Sequence, residues 1–132
     1  MSGRDFREGE FRPKRLSGLS VLIVEDDYYL ADDARRALEA AGALVLGPCA
    51  TLEDAQELFR SNRPDCALLD INLGDGPDFT GARALLDRGV PVAFVTGYDP
   101  AVIPAELAHV RCLQKPTSPG KVVQAVGQLC DR

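Results

Sequence analysis

A single histidine, His109, is all the imidazole that 132 residues carry, and there is no tryptophan. A Ser–His or His–Asp catalytic relay therefore has one candidate and no partner pattern, and His109 reads as a loop or strand-entry residue. The four cysteines (Cys49, Cys66, Cys112, Cys130) show neither CxxC nor metal-finger spacing, and three fall inside apolar segments. They read as reduced, mostly buried thiols and not as zinc ligands or disulfides. No apolar run approaches the ~20 residues of a membrane helix. The opening "MSGRDFREGEFRPKRLSG" has no apolar signal core, so a cytoplasmic protein is expected. The Gly-rich stretch "NLGDGPD" (72–78) lacks GxxxxGK[ST], and no GxGxxG follows a strand, which removes the nucleotide loops. Its acids Asp75 and Asp78 read as turn and helix-cap residues.

Positive charge is also scarce where a nucleic-acid binder would need it. The net charge is −5, yet residues 1–17 carry five basic side chains against three acidic ones, leaving −7 for the remainder. That balance speaks against nucleic acid as the partner of the folded body. Residues 1–17 read as a flexible basic extension, and 18–132 as one domain of a size that buries a core without staples.

What is present is a rhythm of short apolar runs and helical patterns. Strands are expected at Val21–Val24, 43–47, 65–71, 91–96 and 110–114. Helices fall between them: one carrying Leu30, Ala34, Ala37, Leu38 and Ala41 inward, one capped by Thr51 with Ala55, Leu58 and Phe59 inward, and one near 78–88. A last helix starts at Ser118 with Pro119 in its first position. Pro100 and Pro104 spoil the helix between the fourth and fifth strands, so it is expected to be short or irregular. Continuous rather than alternating apolarity in the strands predicts burial on both faces. The fold class is α/β, a five-stranded doubly wound parallel sheet.

Chemistry in such a sheet sits at the carboxyl ends of the strands. The first strand runs straight into Glu25, Asp26 and Asp27, and like charges about 4 Å apart repel by roughly 4 kcal/mol at an effective dielectric of ~20. The third strand ends in Asp70, the fourth in Thr96, and Lys115 follows the fifth, with Pro116 next. Crowded carboxylates are tolerable around a hard divalent cation such as Mg²⁺, with Mn²⁺ as a substitute. Asp26 and Asp70 would be ligands, Glu25 a ligand or the holder of a bound water, and the Asn72 carbonyl a further oxygen. Asp27 reads as the cap of the first helix. A carboxylate beside Mg²⁺ can act as a nucleophile toward phosphorus, with Lys115 and Thr96 as partners for the phosphoryl oxygens.

The pieces "VLIVEDD", "LLDINLGDG", "FVTGY" and "LQKP" resemble the receiver domains of two-component response regulators, over residues 20 to about 130. The resemblance implies a (βα)5 flavodoxin-like fold, Asp70 as phosphoacceptor, Glu25 and Asp26 as the metal-binding pair, Thr96 as the switch hydroxyl, Lys115 as the phosphate-contacting lysine and a cis bond before Pro116. It implies a phosphoacceptor signalling domain, not an enzyme, that assists its own phosphorylation and dephosphorylation. Its partners would be a sensor histidine kinase and a downstream protein target. Two features depart from the usual pattern. Cys112 stands where receivers carry an aromatic switch residue, and the Thr96–Lys115 interval is short. Both, with Phe94, Thr96, Gly97 and Tyr98, resemble the divergent "FAT GUY" group of often stand-alone receivers, paired with kinases of the HWE type. Tyr98 is then the candidate to replace the missing aromatic switch. The alternative is a phosphorylation-independent pseudo-receiver. A phosphohydrolase with an Asp nucleophile is disfavoured because Asn72 stands where its general acid would be.

Overall fold

The computed structural model describes residues 14–74 and 76–131. Five parallel strands form one sheet: β1 (Ser20–Val24), β2 (Leu44–Cys49), β3 (Cys66–Asp70), β4 (Val92–Thr96) and β5 (Arg111–Gln114). Their order is β2-β1-β3-β4-β5, so the winding reverses between β1 and β3. Among the described residues three helices connect strands, α1 (Tyr28–Ala40), α2 (Leu52–Ser61) and α3 (Thr80–Asp87), and α4 (Pro119–Leu129) follows β5. Between β4 and β5, where a fifth helix would complete the pattern, there are only two 3-10 turns, Pro100–Val102 and Ala105–Leu107. Proline supplies no N–H and clashes with the preceding turn, which explains the short pieces. No described helix is long and apolar enough to cross a membrane.

The pleat sends alternate residues of the central strands to opposite faces. Leu22, Val24, Ala67, Leu69, Val92 and Phe94 join one core cluster together with Ala55 and Phe59 of α2 and Ala82 and Leu85 of α3. Val21, Ile23, Cys66, Leu68, Ala93 and Val95 join the other, together with Leu38 of α1 and Val122, Ala125 and Val126 of α4. Every residue of β3 and β4 is buried, as continuous apolarity requires of central strands, whereas the edge strands β2 and β5 are partly exposed. Asp27 Oδ1 accepts from the N–H groups of Tyr29 and Leu30, at 2.9 and 3.1 Å, and so caps α1. Thr51 Oγ1 caps α2 through Asp54 N–H at 3.1 Å. None of the four cysteines is in a disulfide; Cys49 and Cys66 are buried and Cys112 and Cys130 half-buried.

Three expectations are corrected. The first concerns β2, which runs to Cys49 instead of stopping at Gly47. The positive φ of Gly47 (+90°) lets the strand slip past β1 between Leu22 and Val24 and resume pairing, and the Gly47–Pro48 bond is cis. A Cβ at Gly47 would stand 2.7 Å from Cys49 N, so only glycine fits. The second is Leu30, which is exposed, while the inward face of α1 is carried by buried Ala31 and Leu38 with Ala34 and Ala41 packed against the same core as Leu38. The third is the start of the folded body, which includes residues 14–17. Leu16 is fully buried in the second core, and its N–H bonds Ala41 O at 2.8 Å. The rest of the expected extension, and the expected turn residue Asp75, lie outside the described residues.

Candidate functional site

The carboxyl edges of β1, β3, β4 and β5 bring Glu25, Asp70, Thr96 and Lys115 together. Two backbone bonds set the frame: Glu25 N–H to Cys49 O at 2.9 Å, and Lys115 N–H to Thr96 O at 2.8 Å. Glu25, Asp70 and Thr96 are the buried polar or charged residues among those described, with Asp70 at 3% and Thr96 at 0% exposure. Lys115 Nζ sits 3.0 Å from Asp70 Oδ2 and 3.1 Å from Glu25 Oε1, bridging the two strands at the point where the winding reverses. Asp70 Oδ1 accepts from Asn72 N–H at 2.9 Å, and Glu25 Oε2 accepts from Asp27 N–H at 3.1 Å.

Burial, and then hydrogen bonding with Asp70, push the Glu25 carboxyl up to about 7. Burial alone would lower the Lys115 ammonium. Its hydrogen bonds with Asp70 and Glu25 more than offset this and raise it above its ordinary value. Two carboxyls and one ammonium thus share a half-closed pocket in which the negative groups outnumber the positive.

Glu25, Asp26 and Asp70 each offer a carboxylate oxygen, all within 4.8 Å of one another, and Asp26 is exposed. Octahedral Mg²⁺ ligands at 2.0–2.1 Å lie roughly 3 Å apart when adjacent and about 4.2 Å when opposite. The three oxygens fit such a shell with small side-chain adjustments or an intervening water, and their chemistry is that of a hard cation. Asn72, the fourth expected ligand through its backbone carbonyl, lies two residues beyond Asp70 in the same loop.

Thr96 Oγ1 accepts from Tyr98 N–H at 2.8 Å, which leaves the hydroxyl hydrogen available to a ligand above Asp70. Tyr98 packs against the first core cluster, and its hydroxyl donates to Asn72 Oδ1 at 3.2 Å. The ring therefore bridges the β4 and β3 loops across the site. Cys112, at the usual aromatic position, is half-buried against the same cluster, and burial pushes its thiol up. The Lys115–Pro116 bond is cis.

Sequence reasoning missed the wall behind Asp70. A cavity of about 70 Å³ opens there between α1 and α4, bordered by Leu30, Asp33, Val95, Thr117 and Val122. Thr117 Oγ1 is buried beside it without a hydrogen-bond partner. The available signal was position alone, since Thr117 and Ser118 directly follow Lys115–Pro116.

An acidic cluster, a buried hydroxyl and a lysine at the carboxyl edge of a five-stranded parallel sheet define the receiver class. The response regulator receiver domain family model matches residues 21–127, and the chain belongs to that family. It is 32% identical over 114 residues to the phyllosphere-induced regulator PhyR of Methylorubrum extorquens, covering 82% of this chain and 42% of the relative. It is 31% identical over 112 residues to the sensory transduction protein LytT of Bacillus anthracis, covering 82% of this chain and 46% of that protein. The chain thus spans about half the length of these curated relatives. Its fold superposes on the crystal structure of the response regulator PhyR from Brucella abortus with a TM-score of 0.77 at 26% identity, over 98% of this chain and 54% of that one.

Proposed function

We propose that this receiver accepts a phosphoryl group on Asp70 from a sensor histidine kinase, in the presence of Mg²⁺, and signals through phosphorylation-controlled protein contacts. The observation that carries the reading is Lys115 Nζ, 3.0 Å from Asp70 Oδ2 and 3.1 Å from Glu25 Oε1 within a cluster of three carboxylates. An Asp70 oxygen attacks phosphorus as the bond to the donor nitrogen breaks, giving an aspartyl phosphate and returning the donor imidazole. Lys115 then turns from the carboxylate to a phosphoryl oxygen as a point charge, and the Thr96 hydroxyl donates to another. Glu25, Asp26, Asp70 and the Asn72 carbonyl would hold Mg²⁺, which would supply charge to offset the acids and the incoming phosphoryl group.

The signal leaves through residues 97–114 and α4. The two 3-10 turns hang on few anchors: Ile103, Leu107 and the Arg83–Glu106 ion pair at 2.7 Å. Such a segment lies at the low-stability end of a fold. Tyr98, bonded through its backbone to Thr96 and through its hydroxyl to Asn72, links the site to that segment in place of the aromatic residue that Cys112 replaces. The "FVTGY" stretch and the short segment after it support a reading as a "FAT GUY"-type receiver, for which the kinase partner would be of the HWE type.

Intact-protein mass after incubation with Mg²⁺ and acetyl phosphate tests the reading, with Asp70→Asn beside the wild type. One Mg²⁺-dependent phosphoryl adduct on the wild type alone is expected. No adduct, together with no Mg²⁺ binding, would favour a pseudo-receiver that keeps the fold for interaction only.

A further inference from the structure

Three arginines gather at the opposite end of the sheet, where the site around Asp70 makes no use of them. A cavity of about 490 Å³ opens between the C-terminal ends of α2 and α3, against Pro64 and Val90. Those two residues lead into β3 and β4, so the cavity lies a strand length away from Asp70, about 16 Å for five residues. Its size falls within the ~300–1,000 Å³ typical of small-molecule sites. Phe59 and Leu85 form a buried apolar floor, and Arg60, Arg63 and Arg88 stand around it.

A carboxylate answers one of these guanidinium groups and leaves two. Among the described residues neither Arg63 nor Arg88 has an acidic partner within ion-pair distance. Arg63 Nη2 donates to Gly89 O at 3.3 Å, and the Arg88 guanidinium lies over the Phe59 ring, 5.1 Å from its centroid. Both heads are thereby held at the rim in an otherwise acidic protein. Arg60 reaches Glu57 at 3.1 Å, but both side chains are about 70% exposed, and such a pair is weak.

The bland account is that basic residues complement helix C-termini. Each C-terminus carries about half a negative charge, so two of them answer roughly one of the three positive charges. With Glu57 set against Arg60, a surplus of about +1 remains, and Arg63 stands beyond the cap residue Asn62. The planar guanidinium fork binds phosphate through paired hydrogen bonds. Three guanidinium forks around one cavity offer more paired donors than a single carboxylate can accept, and suit an anion with several phosphoryl oxygens. We infer that this cavity binds a small anion carrying two or more phosphate groups, at a site separate from the phosphoacceptor.

Calorimetric titration with inorganic pyrophosphate, at low salt and without Mg²⁺, tests the inference. The wild type is expected to bind at one saturable site, more tightly than it binds orthophosphate, and to weaken as salt rises. Arg63→Gln combined with Arg88→Gln is expected to weaken binding by about tenfold or more, as loss of charge-assisted hydrogen bonds does. Arg60→Gln, at an exposed position outside the core, should weaken it severalfold and serves as the second variant. Lys115→Gln is expected to leave it unchanged. Absence of saturable binding to the wild type, or equal binding by the arginine variants, would overturn the inference. So would loss of binding in Lys115→Gln, which would place the anion beside Asp70 instead.

Discussion

Replacing Asp70 by Asn in the metal-free protein should be nearly silent for stability, and the reason is Lys115. The ammonium lies 3.0 Å from Asp70 Oδ2, an attraction of about 5.5 kcal/mol at an effective dielectric of ~20. Glu25 offers a carboxylate oxygen within 4.8 Å, a repulsion of at least about 3.5 kcal/mol when both groups are ionised. Asp26 repels as well, less strongly because it faces solvent. The attraction lost and the repulsion relieved come close to cancelling. The amide oxygen of Asn can still accept from Asn72 N–H, which bonds Asp70 Oδ1 at 2.9 Å. Urea unfolding in chelator at pH 8.5, where Glu25 is ionised, should place Asp70→Asn within ~2 kcal/mol of wild type. Lys115→Met leaves the same carboxylates facing each other with no cation, and should cost about 2–4 kcal/mol. That lies at or below the usual cost of breaking a buried pair, because Lys115 keeps 22% of its side chain exposed. An Asp70→Asn variant destabilised by more than ~3 kcal/mol at that pH would refute the balance of charges, since this exceeds the loss of the charge-assisted Lys115–Asp70 hydrogen bond alone.

Three further outcomes follow from the same structure. Glu25 has an ordinary value of 4.5 and stands at about 7 in the fold, so the folded state favours its protonated form. In metal-free protein this contribution is fully present below pH 4.5 and is lost as the pH rises through about 7. Urea midpoints should therefore fall from pH 5.5 to pH 8, and Glu25→Gln should flatten the profile. A phosphoryl mimic such as beryllofluoride should change backbone relaxation across residues 97–109, and Tyr98→Phe, which removes the bond to Asn72 Oδ1, should diminish the change. Unaltered mobility in wild type would remove Tyr98 from the switching role. Leu16→Ala should cost about 2–5 kcal/mol in urea unfolding, as for any large core side chain, whereas a residue in a loose tail would cost almost nothing.

Most of the fold was legible because local and global signals agree in it. Continuous apolar runs marked β1, β3 and β4, and Thr51, Ser118 and Pro119 marked helix starts that the structure keeps. Two prolines were enough to foretell the broken segment before β5. The misreadings lie where the deciding contact is distant in sequence. Leu16 looked like part of a basic tail because its apolar neighbours, Leu38 and the α4 face, lie far along the chain. Gly47–Pro48 looked like a strand end because a bulge against β1 cannot be read from one strand. Within the site, position at strand ends sufficed to gather Glu25, Asp70, Thr96 and Lys115. Which groups touch, above all Lys115 with both carboxylates and Tyr98 with Asn72, depended on side-chain directions that no spacing encodes.

The account rests on Asp70, and not Glu25 or Asp26, being the group that takes the phosphoryl. Peptide mapping after phosphorylation by acetyl phosphate, with borohydride reduction to fix the acyl phosphate, locates the modified carboxyl directly. A single reduced residue at Asp70 is the predicted result. Reduction at Glu25 or Asp26, or an adduct that persists in Asp70→Asn, would contradict it.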